Sequence, residues 1–228
     1  MDELRERLFK GGASLVGFAD LELLPPQMRQ NMRFGISIAV ALDPVIVAGI
    51  KDGPTREYYA ESQRARDLLN NLGLAAAQFL EALGHRAVAT DAQALKVDQI
   101  TLSTWLQHKT VATRAGLGWI GKCALLVTET FGSAVRLTSV LTDAEFPAAK
   151  PIEDSRCGDC AACVDACSAK APSGLNWRAG MDRSHFLDAF ACRDAARERA
   201  RRIGIDKPIC GVCIVACPWT REYISRSM

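Results

Sequence analysis

Apolar and polar positions alternate along this chain in three different rhythms. The charged opening DELRERLFKGG predicts a first helix ended by glycine. SLVGFADL then predicts a strand, and the pair Pro25-Pro26 breaks the chain. In RFGISIAVAL, Phe34, Ile36, Ile38 and Val40 alternate, the period of a strand. From about Pro54 to Leu83 the period lengthens. Leu68, Leu69, Leu72, Ala76, Phe79, Leu80 and Leu83 recur at helical spacing, which predicts one long amphipathic helix ended by Gly84. HRAVAT predicts a short strand. CALLVT and SAVRLTSVL predict two more, with TFGS between them as a hairpin connection. The prolines of EFPAAKPIED mark a boundary near residues 146 to 156. Beyond it the chain is organised around cysteine, and MDRSHFLDAFACRDAARERARR predicts a helix carrying Cys192.

This pattern predicts an α+β protein of two parts, residues 1–150 and residues 151–228. A chain of 228 residues can hold one sizeable core with a small added module. The composition is that of an ordinary soluble protein, 49% apolar and 24% charged. Net charge is only +2, so the chain is no polycation and no nucleic-acid partner is expected. The most apolar window, ISIAVALDPVIVAGI, is interrupted by Asp43 and Pro44 and is too short to cross a bilayer, so no membrane is expected. The charged N-terminus lacks the apolar stretch of a signal peptide, which leaves the cytoplasm as the expected location.

Nine cysteines in such a chain need a cause. Disulfides suit small secreted domains, not thiols crowded into two short runs. The first run, CGDCAACVDAC, has the spacing C-x2-C-x2-C-x3-C of bacterial four-iron ferredoxins, in which the fourth thiolate ligates the other cluster. The second run, CGVCIVACP, returns a ligand to the first cube. One cluster then takes Cys157, Cys160, Cys163 and Cys217. The other takes Cys167, Cys210 and Cys213, and lacks a corner. Cys192 is the remaining thiol in this half and completes it. Zinc also favours C-x2-C pairs, but a tight run of four is awkward for a tetrahedral site. Ser168 follows Cys167 where proline is usual.

GLGWIG, residues 116 to 121, is a literal G-x-G-x-x-G. A dinucleotide fingerprint follows a strand and opens a helix; here a helical pattern precedes it and a strand follows. The segment is therefore a glycine-rich bend at a strand entry, or a place where backbone lies flat against a large planar ligand.

TRAGLGWIGKCALLVT, RLTSVLTD and a double four-iron motif ending CPW together resemble the epoxyqueuosine reductase family, which is related to the corrinoid-dependent reductive dehalogenases. The resemblance spans roughly residues 10 to 222. It implies a cobalamin-binding α/β domain, a central sheet with flanking helices over residues 1–150. A ferredoxin-like domain with two [4Fe-4S] clusters follows over residues 151–228. It places Arg114, Ala115, Gly116, Leu117, Gly118, Trp119, Gly121 and Lys122 beside the corrin. The clusters would pass single electrons to cobalt, giving Co(I) for reduction of a small substrate or for corrinoid handling. A flavodoxin or ferredoxin would donate the electrons, and a corrinoid-dependent protein is a further partner. The alternative is a ferredoxin-type carrier without a corrinoid. The family's proton-donating aspartate has no counterpart: ungapped counting reaches Leu102, and Asp98 is four residues off. The helical-repeat extension associated with tRNA binding is also missing. Both departures argue for a cobalamin- and iron–sulfur-dependent reductase other than one acting on epoxyqueuosine in tRNA.

Single residues carry two readings each. His108 is the candidate catalytic group, as proton donor or cobalt ligand, or else a plain hydrogen-bonding side chain; His85 and His185 are weaker candidates. Cys123 is buried filler or a thiol near the corrin. Trp105 and Trp119 stack on a flat cofactor or pack the core, and Trp219 shields a cluster. Tyr58 and Tyr59 supply a phenol or pack a helix on the sheet. The arginine-rich segment 193–207 docks an acidic donor or is a solvated helix face.

Overall fold

In the computed structural model, which describes residues 2–90 and 96–228, helix and sheet are mixed as expected. In chain order the elements are α1 (Asp2–Lys10), β1 (Leu15–Asp20), β2 (Phe34–Ala41), α2 (Pro44–Ala48), α3 (Arg56–Ala82), β3 (Ala87–Ala89), α4 (His108–Arg114), β4 (Trp119–Ile120), β5 (Leu126–Val127), β6 (Val135–Thr142), α5 (Ala162–Asp165), α6 (Ala189–Arg202), α7 (Val212–Ala216) and α8 (Pro218–Ser227). Compactness divides the chain into two discontinuous units. One comprises Met1–Ala41, Ala65–Gly118 and Arg136–Ile152; the other comprises Leu42–Arg64, Trp119–Val135 and Glu153–Met228.

The first unit is built on a four-stranded sheet in the order β1-β2-β6-β3. β1 and β2 run antiparallel with Val16 opposite Ile38 and Phe18 opposite Ile36, and β3 runs antiparallel to β6. The alternation in β2 predicts one wet face, but seven of its eight residues are buried. α4 packs over the face that alternation would leave wet, and small residues fill it. Gly35, Ser37 and Ala39 do so here. Two of the glycines in this pair of strands are set by close approach. A Cβ on Gly17 would lie 2.8 Å from the Ala115 carbonyl oxygen, and one on Gly35 would lie 2.8 Å from Leu21 and 3.1 Å from Val111. α4 packs against both strands, with Ala19, Leu21, Leu106, Val111 and Leu141 in the core beneath it. Phe18, Phe34 and Phe146 meet as a tilted trio with ring centroids 4.9 and 5.0 Å apart.

The second unit holds every cysteine. β4 and β5 form a small antiparallel ladder, Trp119 opposite Val127 and Ile120 opposite Leu126. This corrects the expected TFGS hairpin: β5 turns back on β4, and β6 joins the four-stranded sheet instead. Thr128 and Gly132 close a local bridge where that hairpin was expected. α2, α7 and α8 pack together, and α5 packs on α7. The long arginine-rich helix α6 starts later than its sequence pattern implies. Asp188 caps it, its carboxylate accepting the Phe190 and Ala191 amides at 3.0 and 2.9 Å.

No helix among the described residues is long and apolar enough to cross a membrane.

Candidate functional site

The glycine-rich segment begins as a helix stop. α4 ends at Arg114, and Gly116 has φ +68. The Leu117 amide bonds to the Ala112 carbonyl at 3.0 Å and the Gly116 amide to the Thr113 carbonyl at 3.1 Å, the paired bonds of a left-handed helix terminus. A Cβ on Gly116 would lie 3.1 Å from the Lys150 carbonyl oxygen, so that side of the glycine faces protein. Arg114 donates to the Asp20 carbonyl at 2.7 Å, and Ala115 is buried against Gly17. The segment thus lies between a helix and a strand, the reverse of a dinucleotide-binding turn.

Its second half belongs to the cysteine-bearing unit. The Gly121 amide bonds to Leu125 and the Ala124 amide to Gly121, closing a turn that carries Lys122 and Cys123 inward, both buried. A Cβ on Gly121 would lie 3.5 Å from the sulfurs of both Cys123 and Cys157. Trp119 is fully buried, with its indole edge against Trp219 at 5.2 Å and the Arg156 guanidinium over its ring at 5.4 Å. Its Nε1 has no hydrogen-bond partner among the described residues.

Several of the thiols lie close enough to influence one another. Burial raises the Cys217 pKa, and the neighbouring Cys157 charge adds to it. Opposing them, the Thr220 and Trp219 amides and the Thr220 hydroxyl bond to the Cys217 sulfur. Cys217 ends α7 and immediately precedes Pro218, whose missing N–H is no loss at the first position of α8. Cys192 lies one turn into α6. It is exposed as a residue, yet its sulfur is sheltered enough for burial to raise its pKa, and the charges of Cys167 and Cys210 raise it further. Cys123 bonds to Cys163 and to Cys213. The bond to Cys163 lowers its pKa, while the bond to Cys213 and burial push it well above the ordinary thiol range. Cys163 is raised by the same hydrogen bond and by burial, while the Lys122 ammonium pulls it down. Among the described residues, no three His, Cys, Asp or Glu side chains converge as the ligands of a single ion would.

Arg199 of α6 reaches one of these thiols. Its Nη1 donates to Cys210 Sγ and its Nη2 to Ser168 Oγ, each at 2.9 Å. Nothing in the sequence pattern pointed to it, since arginines repeat all along α6. Other members of the helix are tied to acids, Arg193 to Asp194 at 2.8 Å and Arg202 to Glu198.

His108 opens α4 in the first unit, its Nδ1 3.1 Å from Ser139 Oγ. Burial lowers its pKa to about 4, so the ring is neutral near pH 7. Asp98 is exposed. Its carboxylate accepts the amides of Thr101 and Ile100 and the Thr101 hydroxyl, at 2.8, 2.8 and 3.1 Å, which holds its pKa below the ordinary value. Leu102 sits in the left-handed region at φ 52.

No family model matches the chain. Over 116 residues, half of this chain, it is 36% identical to the epoxyqueuosine reductase of Bacillus cereus. This chain resembles the epoxyqueuosine reductases in sequence and in fold. A solved epoxyqueuosine reductase in complex with an epoxyqueuosine-modified tRNA stem loop superposes over 96% of this chain with a TM-score of 0.64 at 23% identity. A reductive dehalogenase described through a mechanism for B12-dependent dehalogenation superposes over 98% with a TM-score of 0.73 at 17% identity. The match spans 29% of the Bacillus cereus protein and 65% of the solved reductase.

Three expectations are corrected by these likenesses. The relatives are named epoxyqueuosine reductases, which overturns both the electron-passing corrinoid reductase for small substrates or corrinoid handling and its carrier alternative. It equally overturns the exclusion of an epoxyqueuosine reductase. The expectation of no nucleic-acid partner falls with the tRNA-bound relative. The physical reasons are plain. A net charge of +2 averages over the whole surface and does not exclude a local basic patch. An ungapped count through a stretch without regular secondary structure, where Leu102 lies, does not locate a loop residue.

Proposed function

We propose that this chain forms the reductase core of an enzyme of the epoxyqueuosine-reductase type, reducing the epoxide of a modified nucleoside carried by tRNA in the cytoplasm. The 36% identity over half the chain to a reductase of that name carries this reading.

The thiol chemistry fits two iron–sulfur clusters. Cys157 and Cys217 affect one another electrostatically, as do Cys192, Cys167 and Cys210. The pairing of Cys157 with Cys217 and of Cys167 with Cys210 agrees with the ferredoxin spacing, and Cys192 is the thiol left to complete the second set. We assign Cys157, Cys160, Cys163 and Cys217 to one [4Fe-4S] cluster and Cys167, Cys192, Cys210 and Cys213 to the other. A cube spreads its thiolates over four irons, so they stand further apart than the donors of one zinc ion. The corrinoid is assigned to residues 1–150, along Arg114 to Gly118, with Trp119, Gly121 and Lys122 continuing the segment into the cysteine-bearing unit. When bound, the clusters supply one-electron chemistry and the corrinoid a reactive metal.

The chain's own residues divide the remaining work. The carbonyl and amide bonds described around Arg114, Gly116 and Leu117 fix the helix stop. Trp219, two residues beyond Cys217, packs its ring against the buried Trp119. His108, neutral at working pH, holds a hydrogen bond at Ser139 and is no cationic acid.

The test is anaerobic reconstitution with iron, sulfide and cobalamin, then incubation with epoxyqueuosine-bearing tRNA and a chemical reductant, with nucleosides read by mass spectrometry. Conversion to the reduced nucleoside is expected. Protein holding its full complement of iron and supplied with cobalamin that leaves the tRNA unchanged would overturn the assignment. Replacing Cys192 by alanine is expected to lower bound iron from about eight to about four per chain; unchanged iron would remove it from the ligand set.

A further inference from the structure

Among the described residues Arg199 has no carboxylate partner, unlike Arg193 and Arg202 on the same helix. Its aliphatic stem is laid against Gly53, where an added Cβ would already touch its Cβ, Cγ and Cδ at 3.6 to 3.7 Å. The half-buried guanidinium then divides its two amino groups between Cys210 Sγ and Ser168 Oγ, both at 2.9 Å. Only a planar fork spans two acceptors in this way; an ammonium has no fixed second arm. The second acceptor is the residue after Cys167, where the ferredoxin pattern carries a proline. Proline offers no hydroxyl. The residue that departs from the proline of the first cysteine run therefore carries the atom that anchors the arginine.

We propose that Arg199 is a positioning residue of the second cysteine cluster, clamped by Ser168 and setting that cluster's reduction potential through a cationic hydrogen bond to Cys210. This inference rests on the cluster assignment above. Reduction adds one electron, and with it one more negative charge, to the cluster and its thiolates. A fixed cation donating to a ligand sulfur favours the more negative state, so it raises the potential. The fork also holds Cys210 in place, because the Ser168 bond removes the freedom of the long side chain.

The experiment is potentiometry of anaerobically reconstituted protein with dithionite as electron source, followed by electron paramagnetic resonance, with iron assayed on every sample. In Arg199→Gln the reduced-to-oxidised ratio of the second cluster is expected to fall at least tenfold at fixed potential, about 59 mV for one electron. Arg199→Lys, which keeps the charge and loses the fork, is expected to fall between it and the parent. Ser168→Ala is expected to lower the potential in the same direction. Full iron with an unchanged potential in Arg199→Gln overturns the inference and leaves the clusters standing. If that variant loses iron, unchanged potentials in both Arg199→Lys and Ser168→Ala overturn it. Parent protein holding far fewer than about eight irons overturns the cluster assignment itself.

Discussion

Gly132 offers the sharpest test of how the second unit is held together. It closes the bridge with Thr128 at φ +55, in the left-handed region. A Cβ there would lie 2.3 Å from the Thr220 amide nitrogen and 2.6 Å from its Cα, both backbone atoms at the start of α8. Neither is a flexible side chain that can swing away. The adjacent Ser133 amide donates to Thr220 Oγ1 at 3.0 Å, and both residues are buried. Gly132→Ala therefore meets three costs. Left-handed backbone costs about 1–2 kcal/mol for a residue with a Cβ. Forcing a methyl into packed backbone costs about 1–3 kcal/mol. Displacing Thr220 strands a buried donor for about 1–3 kcal/mol. The total, about 3 kcal/mol or more, is a large part of the 5–15 kcal/mol typical of a folded protein. The matched control is Gly174→Ala: also left-handed, at φ +87, with nothing within 4 Å of the new Cβ. It meets the first cost alone. Urea unfolding of reconstituted protein, followed by circular dichroism, should place the Gly132→Ala midpoint about 1 M or more below the parent. Gly174→Ala should fall well between. Equal midpoints for the two variants would show that the contact with α8 has slack and that the reasoning from backbone proximity is wrong.

Other expectations follow from the same physics. Burial holds His108 at about 4 against an unfolded value of about 6.5, so folding favours the neutral ring. That stability is full above pH 6.5 and is lost as pH falls toward 4. Between pH 7 and pH 5 it amounts to about 1–2 kcal/mol, and a His108→Asn variant should lose this part of the acid sensitivity in urea titrations at the two pH values. Glu61 is buried and accepts the Asp43 amide at 2.9 Å and two bonds from Arg64 at 2.6 and 2.7 Å. Burial alone would raise its pKa, but the Arg64 and Asp43 donors win and lower it. Glu61→Ala should cost about 2–3 kcal/mol, because it leaves the Asp43 amide bare; a midpoint within error of the parent would count against that bond. Phe146→Ala removes the ring shared by Phe18 and Phe34 and should cost about 3–5 kcal/mol by the same assay, with a loss below about 1 kcal/mol showing that the trio repacks.

Much of this fold could be read from the pattern of residues, for identifiable reasons. α3 is long enough to repeat its period many times, and β2 alternates across eight residues. β4 and β5 have two residues each, too few to carry a period, so the partner of CALLVT was misassigned. Cysteine spacing is local, so it marks the two runs but not the charge interactions of Cys192 with Cys210 or of Cys157 with Cys217, which join distant segments. The reach of Arg199 to Ser168 joins residues 31 apart, and no spacing rule signals such a pair. Cys123 has two sequence readings, buried filler or a thiol near the corrin; it is buried, and its bonds to Cys163 and Cys213 depend on a turn that pairs two-residue strands.

The doubly buried β2 has a consequence for how the chain finds its alignment. A strand with one wet face resists slipping by one residue, because the slip would drown its apolar side chains and dry its polar ones. β2 has almost no polar side to misplace. What forbids the shifted pairing is size. The slots beside Leu21 and Val111, and beneath Ala115, admit only hydrogen atoms, and a one-step shift would drive Phe34, Ile36, Val16 or Phe18 into them. In this sheet two absent methyl groups do the work that water does elsewhere.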